Sequence, residues 1–332
     1  MIKDTVQFMD YFLSTKPKFV EANPGLPKRM HELRSGDAHY LAHEYFNQDW
    51  CPMYFADMGD WLKEAELEYA CSARYVQNIP LFNLTDEQEK FLEKLADPML
   101  KESIFDFMGN IQFRWDCWVK APRELGRKEQ TASLRDQRFL LRLAPEDISF
   151  KVQGGQEEIE LDQAVYKPIV ELMSDFQPRS MGEMEQELAG KNIKWPQLLQ
   201  AVFVLAGKVD LEVVQDEATV EQAKGCSKRL NAFLCELSRK SNEILWLASP
   251  VTGGGCHMNT VEQLFLEHIA QGNPAPPDLA AYAWGQLSAT GRKVLKDGNP
   301  LETEEKILAE LVRQAEKFQA KRLPVLKALG IA

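Results

Sequence analysis

Residues 39–55, HYLAHEYFNQDWCPMYF, determine how the N-terminal third of this chain folds. The first half of this stretch has helical spacing, and Pro52 then predicts a break because proline cannot donate a backbone hydrogen bond. From Tyr54 to Ala65 the apolar residues share one helical face, which predicts a second helix packed on one side. We therefore expect short helices that are separated by proline-containing turns.

Further along the chain, helix signals outnumber strand signals. Thr85 and Ser180 are each followed three positions later by Gln or Glu, which is the capping-box pattern of a helix start. Apolar and polar residues alternate over 111–119, which predicts a strand whose apolar face is buried. The charged, glycine-containing stretch 121–137 predicts a linker. The expected fold class is mainly α with a few strands (α+β).

Three domains are expected from these signals. Residues 1–130 form a first, mainly helical domain. Between residues 138 and 215, three helices with flanking strands resemble a winged-helix unit, and we place its domain at 131–215. Its third helix lacks the basic residues that DNA readers need, which favours a protein-binding or structural use. Residues 216–332 predict a C-terminal helical region, with a helix over 216–248, a turn over 272–277 and a last helix over 302–329 that is kinked or broken near Pro324.

The composition indicates an ordinary globular protein. The chain has 332 residues, 45% of them hydrophobic, and a net charge of −11 without a basic stripe, so nucleic-acid binding is not expected. Neither a run of eighteen apolar residues nor a signal-peptide core occurs, which favours a cytoplasmic protein with no membrane contact. The six cysteines form no CxxC pair and are expected to be reduced core thiols, with no metal site.

The sequence has no recognisable donor-binding loop. Neither an acidic glycine-rich E/D-x-G-x-G segment nor a strand–GxGxxG–helix unit is present, so no Rossmann domain is predicted. No cofactor is therefore expected to bind to this chain itself.

The densest group of polar and aromatic residues lies within 39–55. His39 and His43 share a helix face and could hold a metal, but no third ligand is apparent, and Glu44 follows the second histidine instead of lying between the two. His43 and Glu44 could also act in acid–base chemistry. The simpler interpretation is that this group lines a binding cleft. The cleft candidates are Tyr40, His43, Glu44, Tyr45, Asn47, Trp50 and Tyr54.

A glycine-rich loop at 250–258 is the second candidate. Glycines allow backbone N–H groups to approach an anion, but the loop lacks the lysine of a phosphate-binding loop. A tight turn leading into the next helix is the simpler interpretation. Cys256 beside His257 is a poor nucleophile pair because adjacent side chains project in different directions. The loop candidates are Gly253, Gly254, Gly255 and Asn259.

Several motifs together resemble a known family. The first runs from Tyr40 to Phe55 and includes the sequence LAHEYFN. It is followed by Asn78-x-Pro80, Asp106-Phe107 and Arg114-x-Asp116. These motifs resemble the predicted methyltransferase regulatory domain of bacterial SAM-dependent methyltransferases, some of which are similar to protein-lysine methyltransferases. The C-terminal motifs resemble the tail of the same proteins: they comprise Ser249 to Phe265, Lys296-Asp297-Gly298 and Leu301 to Glu305.

The resemblance implies a regulatory and substrate-recognition portion of a methyltransferase, with no catalytic activity of this chain alone. SAM would be held by a partner domain, in cis or in trans, and the substrate would be a protein. The resemblance also implies that His43, Glu44 and the neighbouring aromatic residues face the methyl-transfer site. The sequence also allows a homo-oligomer. The alternatives are a winged-helix protein-interaction or transcription regulator, and a metal-dependent hydrolase built on His39 and His43.

Overall fold

The computed structural model describes residues 1–155, 158–241, 243–272, 274–296 and 298–332. Asn273, in a predicted turn, and Asp297, in a C-terminal motif, lie outside the described residues. The chain divides into two compact units, Met1–Ala65 and Glu66–Ala332. Of the helices that the structure describes, none has the length and apolar character needed to cross a membrane.

The N-terminal unit consists of short helices around a small apolar centre. Val6, Met30 and Leu41 form its buried core cluster, and each comes from a different helix. The chain breaks between these helices coincide with Pro17, with the segment before Pro27 and with Pro52, as expected for residues without a backbone donor. Its helices are α1 (Ile2–Ser14), α2 (Lys18–Ala22), α3 (Leu26–Ser35), α4 (Ala38–Glu44) and α5 (Phe55–Lys63).

The second unit is also mainly helical, which confirms the expected fold class. Its α-helices are α6 (Pro80–Asn83), α7 (Asp86–Glu93), α8 (Pro98–Gly109), α9 (Arg127–Asp136), α10 (Gln163–Leu172), α11 (Met181–Glu187), α12 (Trp195–Gly207), α13 (Glu217–Ser238), α14 (Thr260–Ile269), α15 (Pro276–Ala289), α16 (Glu304–Lys317) and α17 (Leu323–Ala328). Its strands are β1 (Leu67–Ser72), β2 (Asp116–Lys120), β3 (Arg138–Leu141), β4 (Lys151–Gln153), β5 (Glu158–Glu160), β6 (Arg179–Ser180), β7 (Leu211–Val214), β8 (Trp246–Ala248), β9 (Gly255–His257), β10 (Leu295–Lys296) and β11 (Asn299–Pro300).

The strand predicted over 111–119 exists in part, but its faces are reversed. β2 begins only at Asp116 and pairs antiparallel with β1. Phe113, Trp115 and Val119 are exposed, although they belong to the apolar set that was expected to be buried. Arg114 is the inward-facing residue, because carboxylates of the same unit surround its guanidinium. The prediction of a buried apolar face was therefore wrong.

The linker predicted over 121–137 was also wrong for most of its length. It contains α9, whose sequence RKEQTASLRD consists mainly of residues that tolerate a helix. Arg135 anchors this helix: its Nε donates to Glu185 at 2.7 Å, and its guanidinium lies 4.6 Å from the centre of the Trp195 ring. The ion pair and the cation–π contact order a segment that composition alone marks as loose.

Residues 138–215 contain the predicted three helices with flanking strands. β3 is the central strand of an antiparallel sheet of order β6-β3-β7, and α10, α11 and α12 bury their apolar residues on one core. The third helix, α12, has no Lys or Arg among its thirteen residues, and Phe203 packs against Tyr75 at a ring distance of 5.8 Å. This helix therefore offers no basic face to DNA, and the transcription-regulator alternative gains no support.

The C-terminal part contains less helix than predicted. Residues 216–248 were expected to be helical throughout, but α13 ends at Ser238, and β8 pairs with β9 in a hairpin. The last predicted helix is interrupted before Pro324, as expected, by a π-helical turn over Phe318–Arg322. Pro324 cannot donate to the preceding turn, which accounts for a change of hydrogen-bond register at this place.

The expectation of six core thiols holds for two of them. Cys235 and Cys256 are buried, whereas Cys51, Cys71, Cys117 and Cys226 are exposed. Two of the exposed thiols lie opposite each other on β1 and β2, where a one-residue irregularity brings them into register. The domain boundaries near residues 130 and 215 stay predictions.

Candidate functional site

An exposed aromatic cluster lies at the end of α4. Asp37 caps this helix by accepting the backbone N–H groups of Tyr40 and His39, and these bonds hold the pKa of Asp37 below its ordinary value. The ring of Tyr45 lies 6.4 Å from that of Tyr40 and 6.2 Å from that of Trp50. We call Tyr40, Tyr45 and Trp50 the aromatic cluster. Tyr40 and Trp50 are each 55% exposed.

A cation already lies against this cluster. The guanidinium carbon of Arg29 is 5.4 Å from the centre of the Tyr45 ring, within the range of a cation–π contact. One ring of the cluster, that of Tyr45, therefore already has a positive group against it.

The other cleft candidates are exposed. The side chains of His43 and Glu44 are exposed and form no hydrogen bond or ion pair with the residues that the structure describes. Asn47 accepts the backbone N–H of Asp49 at 2.9 Å and so shapes the turn after α4. Tyr54, at the start of α5, is 70% exposed. These positions stay predictions as site residues.

The two histidines do not form part of a metal centre in the described part of the chain. His39 and His43 both have exposed side chains. No group of three or more His, Cys, Asp or Glu side chains with metal-binding geometry occurs among the described residues. The metal-dependent hydrolase alternative therefore gains no support from the arrangement.

A half-buried ion cluster contains the Asp106 and Arg114-x-Asp116 motifs. Arg114 donates to Asp106 at 2.6 Å, to Glu102 at 2.8 Å and to Asp116 at 2.9 Å. The hydroxyl of Tyr69 donates to Glu102 at 3.0 Å. Because Glu102 and Asp106 lie on α8 and the other residues lie on or beside β1 and β2, the cluster fastens this helix to the two paired strands.

The electrostatics of this ion cluster follow from burial and from an excess of negative charge. The side chain of Arg114 is only 15% exposed, and hydrogen bonds to Asp116 and Glu102 outweigh burial and raise its pKa. Burial raises the pKa of Asp106 even with Arg114 beside it. Burial, reinforced by the charge of Glu102, raises the pKa of Tyr69. Three carboxylates share one guanidinium, so the cation is essential to their burial.

The glycine-rich loop is a hairpin turn. The N–H of Gly253 donates to the carbonyl of Ser249 at 3.0 Å, and the N–H of Ser249 donates to the carbonyl of Gly254 at 2.9 Å. Gly253 has a φ of +71°, which favours glycine. Cys256 is buried, whereas His257 is exposed, so the two side chains lie on opposite faces of β9.

The segment after the hairpin is a reciprocal helix cap. Asn259 accepts the backbone N–H of Glu262, and Glu262 accepts that of Asn259. Gln263 is fully buried, and its amide donates to the carbonyls of Ile244 at 2.6 Å and Met258 at 2.9 Å. The tight turn that feeds a helix is therefore the interpretation of this loop that the structure confirms.

We expect Gly253→Ala to lower the free energy of unfolding by about 2 kcal/mol, because alanine is disfavoured at positive φ. In addition, a Cβ atom at this position would lie 2.8 Å from the side-chain carbon of Gln215. Urea unfolding of the full chain measures the effect. Gly254→Ala is the matched control, since the added Cβ would lie 3.7 Å from the nearest atom, the hydroxyl oxygen of Thr252. Equal losses in the two variants would contradict a conformational role for Gly253.

The cap of α4, the aromatic cluster and the ion cluster all lie within one stretch of chain. That stretch, residues 37–120, matches the family model of the predicted methyltransferase regulatory domain. The match runs from the N-cap of α4 to the last residue of β2. The resemblance drawn from the sequence motifs is confirmed, and it supports a methyltransferase-related role.

Over 331 residues the chain is 32% identical to an uncharacterized protein of Synechocystis sp., and it spans 64% of that protein's length. Two structures of PKMT2 from Rickettsia typhi share its fold. The complex with AdoHcy has a TM-score of 0.61 at 15% identity, over 97% of this chain and 66% of the other. The second has a TM-score of 0.55 at 14% identity, over 97% and 70%. The chain thus spans about two thirds of the length of the relatives it matches.

Proposed function

We propose that this chain is the regulatory and substrate-recognition portion of a SAM-dependent methyltransferase that modifies lysine side chains of proteins. Its SAM-binding domain lies outside the chain and acts with it in cis or in trans. The match of residues 37–120 to the methyltransferase regulatory domain is the observation that carries this proposal. The sequence lacks a glycine-rich donor loop, while the PKMT2 structure with AdoHcy extends well beyond the part that this chain covers.

The aromatic cluster supplies the substrate-binding part of the proposal. A lysine side chain has a cationic head and an apolar stem, and exposed ring faces attract both. The position of Arg29 over Tyr45 is consistent with such an attraction. His43 and Glu44, which are exposed beside the cluster, would then contact polar groups of the bound protein segment.

Calorimetric titration tests the location of the donor site. The full chain is expected to bind neither SAM nor S-adenosylhomocysteine, whereas the part of the Synechocystis protein that this chain does not cover is expected to bind both. Micromolar binding of either compound by this chain would contradict the proposal that the donor site lies elsewhere.

Methyl transfer tests the substrate-recognition role. The measured quantity is transfer of labelled methyl groups from SAM to protein lysines by that SAM-binding part, with and without this chain. Addition of the chain is expected to raise kcat/KM at least tenfold, and Trp50→Ala is expected to abolish most of the gain. Trp61→Ala is the matched control, since Trp61 is 62% exposed and lies on α5 outside the aromatic cluster. No gain on adding the chain, or equal losses in the two variants, would contradict this role.

A further inference from the structure

We propose that a cavity in the C-terminal part binds an amphiphilic organic anion, namely a carboxylate or phosphate monoester that carries an apolar group. This inference goes beyond the proposed methyltransferase role and does not depend on it. The cavity has a volume of about 480 Å³, which is a normal size for a ligand pocket. It lies between the segment after β3, the start of α14, the helix α16 and the π-helical turn.

The rim of this cavity is basic in a chain whose net charge is −11. Asp147 and Glu262 are its acidic lining residues. Five basic side chains line it: Arg142, Arg313, Lys317, Lys321 and Arg322.

Three of these cations have carboxylate partners. Arg142 lies 3.3 Å from Glu212, Lys321 lies 2.6 Å from Asp147 and 3.3 Å from Glu146, and Arg313 pairs with Glu310. Such pairs neutralise the charge of these side chains within the protein.

The remaining two cations have no carboxylate partner among the described residues. Lys317 is exposed and forms neither a hydrogen bond nor an ion pair with them. Arg322 donates from Nη2 to the carbonyl of His257 at 2.8 Å and contacts the thiol of Cys256 at 3.1 Å. Both partners are formally neutral, so Lys317 and Arg322 are lining cations without a paired carboxylate among the described residues. Glu262, which caps α14 and has no cation partner there, offsets part of their charge.

Arg322 is held in place in advance of any ligand. Its bonds to β9 use one nitrogen of the guanidinium, while Nη1 and Nε make no hydrogen bond with the described residues. A guanidinium has five N–H donors in a planar array that suits carboxylate and phosphate oxygens. Fixing this array before binding reduces the entropy that a ligand must lose.

The floor of the cavity is apolar. Leu143, which is partly exposed, lines it together with Phe265, Phe318 and Val325, which are almost completely buried. The rings of Phe265 and Phe318 meet edge-to-face at 5.6 Å. An inorganic anion would leave this floor without a contact, and a purely apolar molecule would remove water from the cations without pairing them.

The π-helical turn places both kinds of residue on the cavity. Phe318, Lys321 and Arg322 belong to this turn, and all three line the cavity. Turns of this kind are rare inside α-helices and occur frequently at functional sites. The apolar floor and basic rim together therefore specify a ligand with one charged end and one apolar end.

Fluorescence competition on the full chain tests the proposal. The probe is 8-anilinonaphthalene-1-sulfonate, an aromatic anion. Octyl phosphate or octanoate is expected to displace it at concentrations at least tenfold lower than those needed of n-octanol or inorganic phosphate. Whichever of octyl phosphate and octanoate displaces the probe at the lower concentration shows whether the site prefers a phosphate or a carboxylate. Displacement of the probe by n-octanol or by inorganic phosphate at the same concentrations as octyl phosphate or octanoate would overturn the proposal.

Charge reversal identifies the site. Lys317→Glu is expected to weaken octyl phosphate and octanoate competition at least tenfold, because it replaces a rim cation that has no paired carboxylate among the described residues. Lys306→Glu is the matched control, since Lys306 is exposed on the same helix and does not line the cavity. Both variants are first compared with the unmodified chain by circular dichroism. Equal affinities in the two variants would overturn the assignment of this cavity.

Discussion

Replacing Arg114 with leucine is expected to lower the free energy of unfolding by about 3–5 kcal/mol. The substitution leaves Glu102, Asp106 and Asp116 close together and largely buried, without the cation that all three contact. Removing one partner of a buried pair costs much more than removing an exposed pair, because the remaining charge loses its compensation without regaining full hydration.

Urea unfolding at neutral pH measures this loss. Arg123→Leu is the matched control: Arg123 pairs with Glu129, but both side chains are more than half exposed, so a change within about 0.5 kcal/mol is expected. Similar losses for the two variants would show that the ion cluster does not stabilise the fold.

The pH dependence of the Arg114→Leu variant gives an independent check. Burial already raises the pKa of Asp106, and loss of the neighbouring cation should raise it further. A carboxylate with a raised pKa in the folded state binds protons there before the unfolded chain does, so folding stability rises as the pH falls through that pKa. The deficit of the variant should therefore shrink as the pH falls through the raised pKa of Asp106, and Asp106→Asn in the same background should recover part of it at neutral pH.

The strand predicted over 111–119, which contains Arg114 and Asp116 of this ion cluster, shows what sequence alone can and cannot predict. Alternation identified a strand, but hydrophobicity assigned Phe113 and Trp115 to the inside, whereas Arg114 lies there. The reversal depends on Tyr69 and Glu102, which are distant in sequence and complete the hydrogen bonds of Arg114. A period of two shows that two faces differ; which one is buried depends on partners that the local pattern does not contain.

Local signals were more reliable where the interaction is itself local. The side-chain oxygens of Thr85 and Ser180 accept the N–H groups that their capping-box patterns predict. The basic cavity, by contrast, had no sequence signal. Its lining comes from segments near residues 142–147, 259–265 and 313–325, and the charge that matters is the part left over after pairing. That remainder is a property of the folded chain.

Gln263→Ala is expected to lower the free energy of unfolding by about 3–4 kcal/mol. Its amide is the shared donor to the carbonyls of Ile244, which is partly buried, and Met258, which is buried, on either side of the β8–β9 hairpin. A buried carbonyl left without a donor costs about 1–3 kcal/mol. Urea unfolding of the full chain measures the loss. Gln271→Ala is the matched control, since Gln271 is exposed just after α14, and a change within about 0.5 kcal/mol is expected there.

Gln263→Glu separates loss of the donor from loss of volume. A glutamate has the same shape, but its ionised form cannot donate and would face two carbonyl oxygens, so this variant should be at least as unstable as Gln263→Ala at neutral pH. Its folded-state pKa would be raised, and protonation would restore one donor, so stability should increase as the pH falls toward 5. If both variants were as stable as the unmodified chain but lost the stimulation of methyl transfer, Gln263 would act on the partner domain and not within its own core.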